Sequence, residues 1–177
     1  MSDGSLSQDE IDALLQGNSM DFEEAPVVDE SGLSAKAKMD FTSFLNDTVS
    51  SKEANLGGMI GESLSLKAPS VEIVKSTDIG AGFDGRIVDI KMDYTEGVKG
   101  SHSYIFNEAF AGVVAGKMMG QSEVELNEAA LSALEEAANT IAGSSATSIG
   151  ELVGATVMNA PGETAVMSGT ELTFSSD

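Results

Sequence analysis

The stretch ELNEAALSALEEAANTIA, residues 125–142, decides how this chain is read. It holds no Gly or Pro, and Ala, Leu and Glu supply most of it, a strongly helix-forming composition. At 100° per residue, Leu131, Leu134, Ala138 and Ile141 fall within about 80° of arc, the width of a buried stripe. Ser132, Glu136 and Asn139 fall within about 60° of one another on roughly the opposite side. One face is therefore fit for a core. The other carries a carboxylate and a carboxamide one turn apart, the first able to pair with a lysine and the second able to orient a water.

Working outward from this helix, Ser145–Thr156 reads as a second helix, Pro161 closes the helical part, and Thr164–Met167 and Glu171–Phe174 read as strand pieces. The same order stands earlier in the chain. Residues 34–50 give a helical pattern with Ala37, Phe41, Phe44, Leu45, Thr48 and Val49 toward one side; Ser50-Ser51 interrupt it. Glu53–Leu66 then reads as a second helix, followed by Pro69 and a strand over Ser70–Lys75. Gly57, Gly58 and Gly61 weaken that helix by about 1 kcal/mol each and point to close helix contact. Their spacing does not match a phosphate-binding loop. The two copies stand about 93 residues apart, which implies an internal duplication. Between them lie a turn-rich connection at Gly80–Gly85, an alternating strand Arg86–Tyr94, a hairpin at Glu96–Gly100, a return strand Ser101–Phe106, and a helix capped by Asn107 and running through Met119. The expected architecture is α/β, a pseudo-twofold domain over 33–177. Its duplicated helix-helix-strand units (about 34–120 and 125–177) pack their helices on a mainly antiparallel sheet. The second copy has fewer strands than the first, as a truncated copy would.

Composition narrows the function. The chain has 29 acidic and 9 basic residues, a net charge of −20, so direct nucleic-acid binding is disfavoured and a basic protein partner favoured. There is no Cys, and His102 is the single His, which removes thiolate chemistry and His/Cys metal sites. Asp84, Asp89 and Asp93 do not follow a calcium-loop spacing. No metal ligand set is expected, and no apolar run is long enough to insert in a membrane.

The first 31 residues hold nine acids and no base. Within them, Ser7 is an N-cap, Glu10 completes a capping box, Asp9 suits the first turn, and Gly17 can end the helix. Ile11, Leu14 and Leu15 form one stripe, and Leu6 can staple onto Ile11. A helix this short is marginal alone in water. Two readings fit it: a peptide over 1–17 that folds on a partner, joined by an acidic linker over 18–32, or a helix docked on its own domain.

The segment Leu6-Ser7-Gln8-Asp9-Glu10-Ile11-Asp12-Ala13-Leu14-Leu15 resembles the N-terminal peptide of flagellar motor switch proteins of the FliM and FliY type, which captures the phosphorylated response regulator CheY. The body resembles the CheC, CheX and FliY phosphatase fold. That family carries an Asp or Ser, a Glu four residues on, an Asn three after that, and a Pro some 23 residues further. Here these are Ser132, Glu136, Asn139 and Pro161, the proline one position early, and Ile141-Ala142-Gly143 fits as well. In the first copy Asn46 and Pro69 keep the spacing, but Ser43 stands where the carboxylate belongs.

The resemblance implies a CheC-like domain acting as a protein aspartyl-phosphate phosphatase in chemotaxis. Glu136 and Asn139 would be catalytic, with Ser132 supporting and Asn46 marking a degenerate half-site. The peptide contacts would be Leu6, Ser7, Gln8, Asp9, Glu10, Ile11, Leu14 and Leu15. It implies no cofactor of the chain's own, with Mg²⁺ on the response regulator. It implies flagellar switch proteins as further partners and a place at the cytoplasmic face of the flagellar basal body. The C-terminal motor-ring domain usual in such switch proteins is not in this sequence. The alternative is a non-catalytic switch or adaptor protein that only binds the phosphorylated regulator.

Overall fold

The computed structural model describes residues 34–174. The expected docking helix and acidic linker, residues 1–32, lie outside the described residues. In chain order the elements are α1 (Ala35–Ile60), β1 (Arg86–Glu96), β2 (Ser101–Asn107), α2 (Glu108–Met118), α3 (Glu128–Val153), β3 (Met158–Asn159) and β4 (Glu163–Ser168), with short 3-10 turns at Ile79–Gly82 and Gly169–Glu171. The compact body starts at Thr42.

β1 is the centre of the sheet. β2 flanks it antiparallel on one side, with Ile90 opposite Tyr104 and Met92 opposite His102. β4 flanks it antiparallel on the other, with Val88 opposite Val166 and Ile90 opposite Thr164. Toward its end Tyr94 and Glu96 pair with Asn159 and Met158 of β3, across a register irregularity. Side chains alternate across a strand, so Val88, Ile90 and Met92 share one face. That face receives Leu134, Ala137, Ala138, Ile141 and Ala142 from α3 and Ala111, Val114 and Ala115 from α2. Burying a side chain such as Leu134 contributes about 1.5–3 kcal/mol. Asn127 caps α3 by accepting from the Ala130 N–H at 3.0 Å, and Gly154, at φ 69°, ends it in the left-handed conformation that a glycine adopts without strain.

The duplication is visible to the residue. α1 and α3 are each 26 residues long, and both their first and their last residues stand 93 positions apart, the separation of Ser51 and Ser144. The hydroxyls of those two serines meet at 3.2 Å. Residues equivalent under a twofold can touch only beside its axis, so the axis passes between α1 and α3 at this serine pair.

The α/β architecture and antiparallel sheet are as expected; several element boundaries are not. Each expected pair of helices is one continuous helix. Ser50-Ser51 do not break α1, and Gly143-Ser144-Ser145 do not break α3. The hydroxyl of Ser148 and that of Thr147 donate to carbonyls one turn back, so these polar side chains bond within the helix and leave it intact. α1 stops at Ile60 rather than Leu66, where Gly61 takes φ 71°. The close approach at Gly57 is to the Glu62 carbonyl of its own chain end and not to another helix. Ser70–Lys75 forms no strand, and Ile73 and Val74 stay exposed. Only Val71 of this segment is even half-buried, so it lays no apolar face on the core that would hold it as a strand, and both edges of β1 are taken by β2 and β4. Glu171–Phe174 is likewise no strand: Glu171 ends a 3-10 turn, and residues 172–174 have no regular structure.

The sheet face away from the helices holds a buried carboxylate. Asp89 is 8% exposed, and its Oδ1 has no hydrogen-bond partner among the described residues. Burial pushes its carboxyl above the usual range, opposed in part by the nearby Ser103 hydroxyl and then by the charge of Lys91. A raised folded pKa means stability that is fully present below the unfolded value of about 3.9 and is lost as pH rises through the folded value. We expect the melting temperature to fall across that rise in the native chain, and Asp89→Asn to flatten the fall and raise Tm at pH 7. Thermal melts from pH 4 to 8 check this; superimposable pH profiles for the two proteins would contradict it.

Candidate functional site

α3 positions the site. Leu134 and Ala138 are fully buried beneath it, which fixes the helix's rotation and turns the 132/136/139 face outward. Ser132 and Glu136 are exposed, and Asn139 is half-buried at the edge of that face. Glu136 makes no ion pair among the described residues, so its carboxylate is available to a cation from outside.

Asn139 is held. Its Oδ1 accepts from the backbone N–H of Gly162 at 3.1 Å. Two further bonds tie the same loop to α3. Thr164 donates its hydroxyl to Glu135 at 2.9 Å, and the Asn159 carboxamide donates to the Ala142 carbonyl at 3.2 Å. The Ala160 N–H also donates to the Asp93 carbonyl on β1 at 2.8 Å. The turn around Pro161 is thereby fastened to the helix and to the sheet. Beside it lies an open depression of about 430 Å³ lined by Asn139, Ala142, Gly143, Met158, Asn159 and Pro161. A larger concavity, about 620 Å³, between Arg86, Glu108, Glu123 and Glu125 contains none of the expected site residues.

The structure brings Asn139 and Pro161 together at one depression, with Glu136 and Ser132 along the outward face of the same helix. It places Asn46 separately on α1, exposed, with its Nδ2 donating to the Thr42 carbonyl at 2.9 Å. Ser43 is exposed on the same helix and supplies no carboxylate. The peptide residues Leu6, Ser7, Gln8, Asp9, Glu10, Ile11, Leu14 and Leu15 lie outside the described residues. Among the described residues no three His, Asp or Glu side chains converge as metal ligands, and no helix is long and apolar enough to cross a membrane. Glu135, Asn159, Gly162 and Thr164 were not singled out by the sequence. Only the spacing of Pro161 from Asn139 pointed to this loop.

Comparison with known proteins fits this arrangement. The family described as "Chemotaxis phosphatase CheX" matches residues 89–175, which include most of β1, all of α3 and the Pro161 turn. The crystal structure of Thermotoga maritima FliY superposes with a TM-score of 0.72 at 31% identity, over 78% of this chain and 72% of that one. The chain belongs to the CheX/FliY family. Within this family, the flagellar motor switch phosphatase FliY of Bacillus subtilis is 31% identical over 153 residues, covering 84% of this chain. The chain spans 40% of that relative's length. A CheC-like superfamily protein from Shewanella shares the fold, with a TM-score of 0.52 at 22% identity over 75% of this chain and 80% of that one. The CheX/FliY fold thus accounts for the long helix laid on an antiparallel sheet.

Proposed function

We propose that this chain binds a phosphorylated CheY-like response regulator and hydrolyses its aspartyl phosphate, acting in chemotaxis at the flagellar motor switch. The observation that carries the reading is the face of α3. An exposed Glu136 and an oriented Asn139 stand one turn apart on a helix whose rotation is fixed by its core, in a chain of the CheX/FliY family. Glu136 pairs with a lysine of the regulator and sets the register. Asn139 enters beside the acyl phosphate and holds a water in line with the phosphorus. The chain supplies no general base at this face. That suits a transfer whose acceleration comes from positioning and from charge stabilisation by the Mg²⁺ bound to the regulator. Ser132 is a supporting contact, and this chain needs no cofactor of its own.

Residues 1–17 are a tether for the same regulator, joined to the body by an acidic linker. Tethering raises the regulator's local concentration at a weakly binding catalytic face. The chain's other partners are flagellar switch proteins, and its place is the cytoplasmic face of the basal body. A second reading, a switch protein that only binds the regulator, is favoured by one observation: Ser43 leaves the α1 face without a carboxylate.

The test is the decay of phosphorylated regulator, followed by fluorescence or radiolabel, with and without this protein. Faster decay with the protein is expected, and equal rates sink the enzymatic reading. Deleting residues 1–17 is expected to raise KM by about tenfold or more while kcat stays unchanged, since an effective-concentration gain of this kind runs from ~10² upward when both contacts engage. A fall in kcat with KM unchanged would show that the peptide is not a tether.

A further inference from the structure

We infer that Gly162 is a positioning residue for the proposed hydrolysis: its backbone N–H sets which end of the Asn139 carboxamide faces the partner. The inference rests on the proposed phosphatase reading and adds a residue that the sequence pattern does not contain. A carboxamide is nearly symmetric in outline, and its two ends differ in that one donates and the other accepts. A backbone N–H can only donate. The bond from Gly162 therefore selects Oδ1 as the inward atom and leaves Nδ2 outward, and Nδ2 makes no hydrogen bond within the described residues. The outward group then offers an N–H donor to the one lone pair of an attacking water that does not point at the phosphorus.

Position 162 must lie flush on the sheet to make this bond. A Cβ there would stand 2.7 Å from Ile90 Cγ2 and 3.0 Å from Met92 Cε, both side-chain ends, so an alanine is accommodated by a small shift of those side chains and leaves the N–H in place. The neighbouring bonds at Asn159, Ala160 and Thr164 hold the turn at that depth.

The first copy shows the opposite arrangement. Asn46 stands 93 residues before Asn139, and Pro69, the residue 93 before Gly162, has no N–H to give. Asn46 instead spends its Nδ2 on the Thr42 carbonyl of its own helix. The α1 face therefore lacks an oriented donor as well as a carboxylate.

The experiment compares Gly162→Ala with Gly162→Pro in the phosphorylated-regulator assay. Both add a Cβ, and only proline removes the N–H. We expect Gly162→Pro to lower kcat by ~10²-fold, the scale of a misplaced catalytic group, with Gly162→Ala losing far less and KM unchanged in both. Equal kcat values in the two variants would overturn the inference. Should the proline variant not fold, hydrogen exchange of the Gly162 amide decides. It is expected to quicken in Asn139→Ala and to stay slow in Asn139→Asp, which keeps the acceptor; an unchanged rate in Asn139→Ala overturns the clamp. If native protein has no phosphatase activity, the functional reading falls, and the exchange experiment still reports on the clamp alone. In a Glu136→Ala background, Ser43→Glu is expected to restore no activity, because the Asn46 N–H group remains bonded to the Thr42 carbonyl of its own helix. Recovery by that single added carboxylate would refute the orientation argument.

Discussion

Asn139→Ala is expected to lower kcat for regulator dephosphorylation by ~10²–10³-fold, the loss that follows removal of one oriented donor from a reacting centre. The reasoning starts from the helix. α3 is anchored by Leu134 and Ala138 at zero exposure, so a change at position 139 does not rotate it. Truncation removes the carboxamide and frees one backbone N–H, that of Gly162, in a part-buried setting. The resulting cost to stability is about 1–3 kcal/mol, which a domain of this size can survive. Folding and catalysis are therefore separable in this variant: the far-ultraviolet spectrum stays native while turnover collapses. Glu136→Ala is the companion measurement. Its carboxylate is exposed and makes no ion pair among the described residues, so its removal should leave Tm unchanged and act through partner register. Kinetics at several regulator concentrations, with Tm measured beside them, check both. An Asn139→Ala protein that turns over at the native rate would remove Asn139 from the chemistry.

The second large effect concerns the fold. Leu134 is fully buried in the cluster that contains Val88, Ile90 and Met92 of β1. Leu134→Ala leaves a cavity under the middle of α3, and losses of this kind run to about 2–5 kcal/mol. For a chain of this length each kcal/mol moves Tm by about 2–4 °C. Thermal unfolding should show a drop on that scale, and denaturant unfolding a lower midpoint at the same slope. The neighbouring surface residue Ser132 supplies the contrast, since Ser132→Ala should leave Tm almost unmoved. A Leu134→Ala protein as stable as the native one would mean that α3 is not held by its buried stripe.

The readings that succeeded from sequence were those with local causes. The stripe Leu131, Leu134, Ala138 and Ile141 and the opposed Glu136 and Asn139 follow from helical period alone; the structure buries Leu134, Ala138 and Ile141 and exposes Glu136, while Leu131 and Asn139 lie half-buried at the edges. The β1–β2 hairpin and the Asn107 cap are also local patterns. What failed was decided by distant partners. Ser50-Ser51 and Gly143–Ser145 looked like helix breaks because serine and glycine lower helix propensity, glycine by about 1 kcal/mol, a weak local preference that the context of a long helix overrides. Ser70–Lys75 has the composition of a strand but lays no face on the core. The site was legible as to its outward residues. Its supporting bonds were not, because nothing in the order of Gly162 and Thr164 along the chain announces that they meet Asn139 and Glu135.

The buried side of α3 is made largely of alanine: Ala130, Ala137, Ala138, Ala142 and Ala146. A methyl group has no rotamers, so at these points the clearance between helix and sheet is a fixed spacer and not an adjustable one. Strain arriving from a bound partner cannot be absorbed there by side-chain rearrangement; it must move the whole helix or leave the surface unmoved. The outward residues of α3 therefore meet their partner as a rigid template, and conformational adjustment on contact falls to the other molecule.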